Sequence, residues 1–269
     1  MRIALLTSQR VPEQDSLTRE CLDLLVRWGV RVDARHAIGC VELGDVAVEH
    51  DLYLLASPSR AIVSLTTGLA ALGARCLNSP EMVRLCRDRI RTVMLLSSAG
   101  VPTPRTWVAG SAEDLIEPLR DGPVVLRSAE MSCSVGAKVL WNVDEVIDLP
   151  LPEGATLAQE VHPNDQYAHR VYRIGHQTFA VKRPCWMAFS SETREEPVPA
   201  TDEMCEIADR VASMFRSELF GLDLVGAEGR LQVVEVRPFP RLGGVPDAAL
   251  RLADYIYARG METAEEVRR

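Results

Sequence analysis

Short apolar runs alternate with helical patterns through the first part of the chain. Residues 2–7 (RIALLT) and 51–57 (DLYLLAS) are apolar runs of strand length, whereas residues 16–29 and 59–72 repeat apolar side chains at helical spacing. Each helical segment starts near a serine and stops at a glycine, as many helices do. The alternation predicts a βα series that builds a parallel sheet in a first domain, residues 1–78.

The pattern changes from residue 79 onward. A serine followed by proline, and then unbroken helical spacing, predict one long helix over residues 79–100. Further helices are predicted over residues 111–119 and 201–220, and a last helix is predicted to end at Gly260. Short strands are predicted between these helices, so this part of the chain combines helices and strands throughout.

Residues 221–236 predict a hairpin that turns at residues 228–229 and carries one carboxylate on each strand. The spacing makes Asp223 and Glu235 near neighbours across the strands and places them on the same face. Two adjacent carboxylates repel unless a cation lies between them, and Mg²⁺ bound to nucleotide phosphates is a suitable cation. The alternative is structural: Asp223 only starts a strand, and Glu235 pairs with Arg237 or another arginine.

Five basic side chains form a second candidate set: Arg89, Arg127, Arg170, Lys182 and Arg183. Arg127 ends an apolar strand just before a loop of small residues, 128–137, whose backbone N–H groups could surround a phosphate. Lys182 is one of only two lysines in the chain. The alternatives are that the loop is an ordinary surface loop and that Lys182 is a solvated strand end.

Residues 158–165 (AQEVHPND) form a third candidate. The end of this predicted strand could offer backbone edges to an adenine, and Asp165 could bind ribose hydroxyls. The alternative is an ordinary strand followed by an Asn-Asp turn.

The order of these segments is similar to one known superfamily. PVVLRS, the small-residue loop, LAQEV, HRVYRIG, VKRP, GLDLVG and VVEVRPFPRLGGV follow one another along the chain. This order resembles the ATP-grasp superfamily, especially the branch with ribosomal-protein glutamate ligases and inositol-trisphosphate kinases. The resemblance starts near Asn78 and implies an α/β (α+β) fold: a pre-grasp domain over 1–78 and a grasp domain over 79–269. It divides the latter into a nucleotide-covering subdomain, 79–157, and a subdomain with the metal site, 158–269.

The resemblance also implies a role at each matching position. The nucleotide-binding positions are Arg89, Arg127, Ser132, Gly136, Gln159, Glu160, Val161 and Asp165. The positions facing the transferred phosphoryl group are Arg170, Lys182 and Arg183, and the metal ligands are Asp223 and Glu235. Arg89 and Arg127 stand where the family has lysine, and arginine still binds phosphate but as a larger planar group.

Arg237 departs from the family pattern. The last strand of the family usually has the pattern Glu-x-Asn, and this chain has Glu235-Val236-Arg237. Arginine has no acceptor atom, so it cannot bind Mg²⁺. Three outcomes remain open: Arg237 replaces a metal ion as a catalytic cation, it disables phosphoryl transfer, or it forms an ion pair with Asp223 or Glu235.

The resemblance implies an ATP- and Mg²⁺-dependent ligase that joins a small-molecule or peptide carboxylate to an amine through an acyl phosphate. Residues 184–200, with an acidic patch of Glu192, Glu195 and Glu196, are the predicted substrate loop. The alternatives are a kinase of a polyol or inositol phosphate, and a module that binds nucleotide without turnover.

Composition restricts the partners. A net charge of −8 and a pI near 5.3 exclude general attraction to nucleic acid or anionic membranes. No apolar run reaches the ~18 residues of a membrane span, the first residues do not resemble a signal peptide, and we expect a cytoplasmic protein. The seven cysteines include no CxxC pair, which favours reduced thiols. A homodimer is compatible with the sequence.

Overall fold

A computed structural model describes residues 1–7, 16–36, 42–56, 59–129, 138–147, 149, 151, 155–161, 167–184, 195–227 and 229–266. Within these residues the chain forms three sheets, two of four strands and one of five. No helix of the described residues is long and apolar enough to cross a membrane.

The first sheet is parallel, as the sequence predicts. Its elements are β1 (Arg2–Thr7), α1 (Ser16–Arg27), β2 (Arg31–His36), β3 (Leu52–Leu55), α2 (Arg60–Ala71) and β4 (Cys76–Leu77). The strands lie in the order β2-β1-β3-β4. Ser59 caps α2 because its hydroxyl accepts a hydrogen bond from the Ile62 N–H. The predicted βα series is therefore confirmed.

The prediction of one long helix over residues 79–100 is wrong. The segment forms two helices, α3 (Pro80–Arg87) and α4 (Arg89–Ser98). Asp88 separates them because its backbone is extended, and its side chain caps α4 by accepting from the Arg91 N–H. The break makes Arg89 the first residue of α4, and its backbone N–H donates to the carbonyl of Ala129 at 3.0 Å.

The second sheet is antiparallel and small. Its strands are β5 (Thr106–Ala109), β6 (Val124–Ser128), β7 (Lys138–Leu140) and β8 (Thr156–Glu160), in the order β5-β8-β6-β7. A short helix α5 (Ile116–Asp121) lies between β5 and β6, close to its predicted place. The predicted subdomain boundary after residue 157 falls inside β8, and the division into domains stays a prediction.

The third sheet is antiparallel and carries the predicted hairpin. Its strands are β9 (Tyr167–Ile174), β10 (Gln177–Pro184), β11 (Glu196–Val198), β12 (Leu219–Ala227) and β13 (Arg230–Arg237), in the order β11-β10-β9-β12-β13. Helix α6 (Asp202–Phe215) packs on one face with the buried side chains of Val171, Leu222 and Leu224. Helix α7 (Ala248–Glu266), together with α1 and the first sheet, covers the other face, around Tyr172 and Leu219.

Two predicted helix ends are wrong. Helix α6 stops at Phe215 rather than at residue 220, because Arg216 adopts a left-handed conformation (φ 49°) and the chain then enters β12. Helix α7 continues past Gly260 to Glu266. Gly260 remains helical and packs directly against the side chain of Met1, so it serves close packing rather than helix termination.

Asn78 connects the first sheet to the third. Its side chain is buried, at 2% exposure. The amide nitrogen donates to the carbonyls of Leu219, at 2.7 Å, and Pro238, and the amide oxygen accepts from the Ser217 hydroxyl at 2.7 Å. These bonds hold the beginning of β12 close to the end of β13, which fixes the frame of the candidate site.

We expect Asn78→Ala to lower the free energy of unfolding by about 2–4 kcal/mol, because buried polar groups of Pro238 and Ser217 lose their partner. Urea denaturation of the purified protein measures this loss. Asn142→Ala is the matched control, since Asn142 is exposed and its side chain makes no capping bond. A loss for Asn78→Ala no larger than that of the control would contradict the role assigned to these bonds.

Candidate active site

The centre of the site is a row of charged residues across three strands of the third sheet. Arg170 on β9 pairs in register with Asp223 on β12, and Asp223 pairs with Glu235 on β13. The predicted neighbourhood of the two carboxylates is therefore confirmed. An irregularity in the pairing follows immediately, between Asp223 and Leu224, so the row lies where the regular ladder is interrupted.

Asp223 is a buried carboxylate held by two guanidinium groups. Arg170 binds it in a bidentate manner, with Nε 2.6 Å from Oδ1 and Nη2 3.3 Å from Oδ2. Arg237 donates to Oδ2 from Nε at 3.3 Å and from Nη2 at 3.0 Å. Burial raises the pKa of Asp223, but the hydrogen bonds from Arg170 and the charge of Arg237 outweigh it and leave the pKa below its ordinary value. Asp223 is therefore an anion at neutral pH.

Arg237 joins the two carboxylates. Its Nη2 lies 3.0 Å from Asp223 Oδ2 and 2.8 Å from Glu235 Oε2. Of the three outcomes that the sequence leaves open, the ion pair is thus present in the structure.

Arg89 lies near the other oxygen of the Glu235 carboxylate, the one that Arg237 does not contact. Its Nη2 lies 3.6 Å from Glu235 Oε1, and its Nη1 donates to the carbonyl of Ser128 at 2.9 Å. Because Arg89 begins α4 and Ser128 ends β6, this side chain connects the small sheet with β13. The position of Arg89 depends on the break between α3 and α4 at Asp88.

Arg127 also connects the small sheet with the third sheet. It belongs to β6, and its Nη1 donates to the carbonyl of Val234 on β13 at 3.3 Å. Burial lowers the pKa of the Arg127 guanidinium, although the charge of Glu235 counteracts this. Its buried Nε has no hydrogen-bond partner among the described residues. Arg127 is therefore a partly buried cation whose hydrogen-bonding capacity is not fully used by the described residues.

A narrow cleft with a cavity volume of about 20 Å³ lies between the small sheet, α4 and β13. Its walls combine apolar side chains with a few polar ones, among them Arg89, Thr92, Arg127, Gln159 and Glu235. Such a combination is usual for small-molecule sites. The arginines from one side of the cleft thus face the carboxylate from the other.

The predicted adenine-binding residues lie at the end of β8. The side chain of Gln159 is buried in the cleft wall and donates to the Thr106 hydroxyl at 3.3 Å. The backbone N–H groups of Glu160 and Val161 donate to the carbonyls of Arg105 and Pro123, at 2.9 and 3.1 Å. These two N–H groups are engaged within the protein and do not contact a base in this conformation. The adenine site stays a prediction.

Glu195 belongs to the charged cluster, and the sequence prediction missed it as a site residue. Its Oε1 accepts from Arg170 Nη1 at 3.1 Å, on the side of Arg170 away from Asp223. Gly243 packs directly against its Oε2, which leaves no room for a side chain there. The sequence contained only a weak signal, the acidic patch before β11. With Glu195, four guanidinium groups of the described residues face three carboxylates.

The other two predicted catalytic cations lie differently. The ammonium of Lys182 is 3.7 Å from the centroid of the Tyr167 ring. Lys182 pairs with His169, so strand alternation places it on the face opposite Arg170. Arg183 pairs with Ala168 and shares the face of Arg170. The structure does not bring Lys182 into the carboxylate cluster, and both catalytic roles stay predictions.

Three predicted nucleotide contacts, Ser132, Gly136 and Asp165, lie outside the described residues. So do residues 185–194, which include Glu192 and most of the predicted substrate loop.

The donor set fits one Mg²⁺ ion only together with a substrate. Among the residues that the structure describes, no group of three or more His, Cys, Asp or Glu side chains could hold a metal ion. Mg²⁺ commonly binds one or two carboxylates and completes its shell with phosphate oxygens and water. Glu235 offers one oxygen, Oε1, that lies beyond hydrogen-bond distance of its nearest cation. The residues therefore suit magnesium bound to a polyphosphate.

No protein-family model matches the chain. Among curated proteins, it is similar to a probable alpha-L-glutamate ligase of Rhodopirellula baltica, 25% identical over 205 residues that cover 68% of this chain and 50% of that protein. A probable alpha-L-glutamate ligase of Serratia proteamaculans is 28% identical over 211 residues, 70% of this chain and 69% of that protein. The chain thus matches half the length of the first relative.

Solved structures show the fold. The RimK domain protein ATP-grasp from Sphaerobacter thermophilus matches with a TM-score of 0.73 and 20% identity, over 95% of this chain and 99% of that chain. The D-alanine–D-alanine ligase of Bacillus anthracis matches with a TM-score of 0.72 and 16% identity, over 100% and 98%. The chain has the ATP-grasp fold. The resemblance to the glutamate-ligase branch that the sequence motifs suggest is confirmed.

We expect Arg127→Met to separate stability from binding. Removing a buried cation relieves its desolvation cost, so the melting temperature should stay equal or rise. Affinity for ATP should fall at least tenfold, which corresponds to about 1.4 kcal/mol, if Arg127 contacts a phosphate as the sequence predicts. Thermal melts and calorimetric ATP titrations measure the two effects.

Arg120→Met is the matched control for Arg127→Met, because Arg120 is exposed on α5, away from the cleft. It should leave both quantities unchanged. Unaltered ATP affinity in Arg127→Met, or a large loss of stability, would show that Arg127 is a structural residue.

Proposed function

We propose that this chain is an ATP-dependent carboxylate–amine ligase that forms an amide or peptide bond through an acyl phosphate. The observation that supports it best is the juxtaposition in one cleft of Arg89 and Arg127 with Glu235. Cations on α4 and the small sheet and a carboxylate on the third sheet are complementary to a triphosphate carrying Mg²⁺. The ATP-grasp fold and the similarity to glutamate ligases give the same indication.

The charge of the cluster favours an anionic substrate. Among the described residues, four guanidinium groups face three carboxylates, in a protein whose overall net charge is −8. The local excess of positive charge is therefore opposite in sign to the whole molecule. A triphosphate would further compensate Arg127, whose Nε has no hydrogen-bond partner in the described residues and whose pKa is lowered by burial despite the charge of Glu235.

The reaction that we propose has two steps. A substrate carboxylate oxygen attacks the γ-phosphorus of ATP, the bond to the β,γ-bridging oxygen breaks, and ADP leaves. The neutral amine then attacks the carbonyl carbon of the acyl phosphate, the tetrahedral intermediate loses one proton and inorganic phosphate, and an amide remains. The phosphoryl transfer depends mainly on positioning and on charge stabilisation, which the arginines can provide.

Mg²⁺ would neutralise charge on the phosphate oxygens when bound. The side chains that we propose near it are Glu235 and Asp223. Arg89 and Arg127 bind the phosphates on the other side of the cleft, and Arg170 orients Asp223 through its bidentate contact.

The names of the relatives support the substrate class. They are glutamate ligases, and the solved structures include a D-cycloserine synthetase, with a TM-score of 0.73 and 17% identity, over 97% of this chain and 100% of that chain. We therefore favour a small-molecule or peptide carboxylate and an amino-acid amine over the polyol of a kinase. The predicted cytoplasmic location and homodimer stay predictions, as do the contacts of Ser132, Gly136 and Asp165.

We expect hydroxylamine to trap the acyl phosphate as a hydroxamate. The purified protein is incubated with ATP, Mg²⁺, hydroxylamine and a panel of amino acids and short peptides. The expected result is ADP release together with a hydroxamate for the correct carboxylate, because hydroxylamine replaces the amine. Mass spectrometry identifies the product, and Arg127→Met with its control Arg120→Met tests whether turnover depends on the cleft.

Other outcomes distinguish the remaining functions. A phosphorylated polyol without a hydroxamate would support a kinase. Nucleotide binding without ADP release over the whole panel of acids would support a binding module and contradict the ligase.

A further inference from the structure

Arg237 lies at the point where a bridging cation would lie. Two carboxylates in register on adjacent strands converge on a single nitrogen, Nη2, at 3.0 Å from Asp223 and 2.8 Å from Glu235. The protein therefore already provides a positive charge between these two groups. A metal ion bridging the same two oxygens would have to displace it.

The two carboxylates differ in how many further contacts their oxygens can accept. Oδ2 of Asp223 accepts from three N–H donors of Arg170 and Arg237, and Oδ1 accepts a short bond from Arg170. Oε2 of Glu235 accepts from Arg237, whereas Oε1 accepts no hydrogen bond from the described residues and lies 3.6 Å from Arg89 Nη2. Asp223 is thus occupied by guanidinium groups, and Glu235 keeps an oxygen for a metal ion.

Arg237 also keeps a donor for an anion. Arg237 donates hydrogen bonds to the described residues from Nε and Nη2. None of the described residues accepts a hydrogen bond from its third nitrogen, Nη1. The side chain is 39% exposed. A phosphate oxygen could accept from Nη1 while the carboxylates hold the guanidinium in place.

We infer that Arg237 is a built-in cation that occupies the place of a second metal ion, so that the nucleotide binds with one Mg²⁺, at Glu235. Asp223 then positions Arg170 and Arg237 instead of binding metal. The inference rests on the proposed function, since it requires that a magnesium nucleotide bind in this cleft. A second divalent ion would be repelled by the fixed guanidinium, which has no acceptor atom.

The test counts metal ions per bound nucleotide. The full chain is equilibrated by dialysis with Mn²⁺ and a non-hydrolysable ATP analogue, and bound Mn²⁺ and bound nucleotide are measured. We expect a ratio of one for the wild type. Arg237→Asn removes the cation and adds an amide oxygen, so the ratio should rise to two.

Two further variants make the count specific. Arg237→Lys keeps a positive charge and should keep a ratio of one. Arg241→Asn is the matched control, because Arg241 is exposed and lies four residues further along the chain. It should also give one, and thermal melts confirm that each variant is folded.

A ratio of two for the wild type would overturn the inference. So would a ratio of one for folded Arg237→Asn. If Arg237→Asn does not fold, the ratios of the wild type and Arg237→Lys still decide, because a value of two in either contradicts a built-in cation. Absence of any nucleotide binding by the wild type is a separate result, which would instead reject the proposed function.

Discussion

The hydrogen-bonded register of β9, β12 and β13 is the constraint on which the site depends. It places Arg170, Asp223 and Glu235 in one row, and a shift of one residue would turn every one of these side chains to the opposite face. The register is fixed at one end by the turn between β12 and β13. At the other end it is fixed by Asn78, which binds backbone groups near the start of β12 and just after β13.

The row of charged residues would destabilise the folded protein without the ion pairs between its strands. A buried carboxylate is tolerated only if cations and hydrogen bonds compensate its desolvation, and Asp223 obtains both from Arg170 and Arg237. Arg127 on the facing sheet is not compensated to the same degree. This difference is the physical reason to place an anionic ligand beside Arg127. In the free protein the desolvation of the Arg127 guanidinium is unfavourable, and a bound anion would reduce that cost.

Local pattern predicts much of this arrangement but not its tertiary contacts. The hairpin with Asp223 and Glu235 follows from a period of two and a short turn, so it is readable from sequence. The break at Asp88 is not, because a capping aspartate inside a helical pattern resembles a surface residue of one helix. Glu195 was missed because its contact with Arg170 joins segments 25 residues apart. The orientation of Arg237 depends on its contacts with both carboxylates, so sequence spacing alone does not predict it.

The most direct measurement of the central claim is a crystal structure of this chain with a non-hydrolysable ATP analogue and Mg²⁺. The account predicts that the triphosphate lies in the cleft, with phosphate oxygens in contact with Arg127 and Arg89 and the γ-phosphate next to Glu235. A nucleotide bound elsewhere, or phosphates that contact neither arginine, would contradict it.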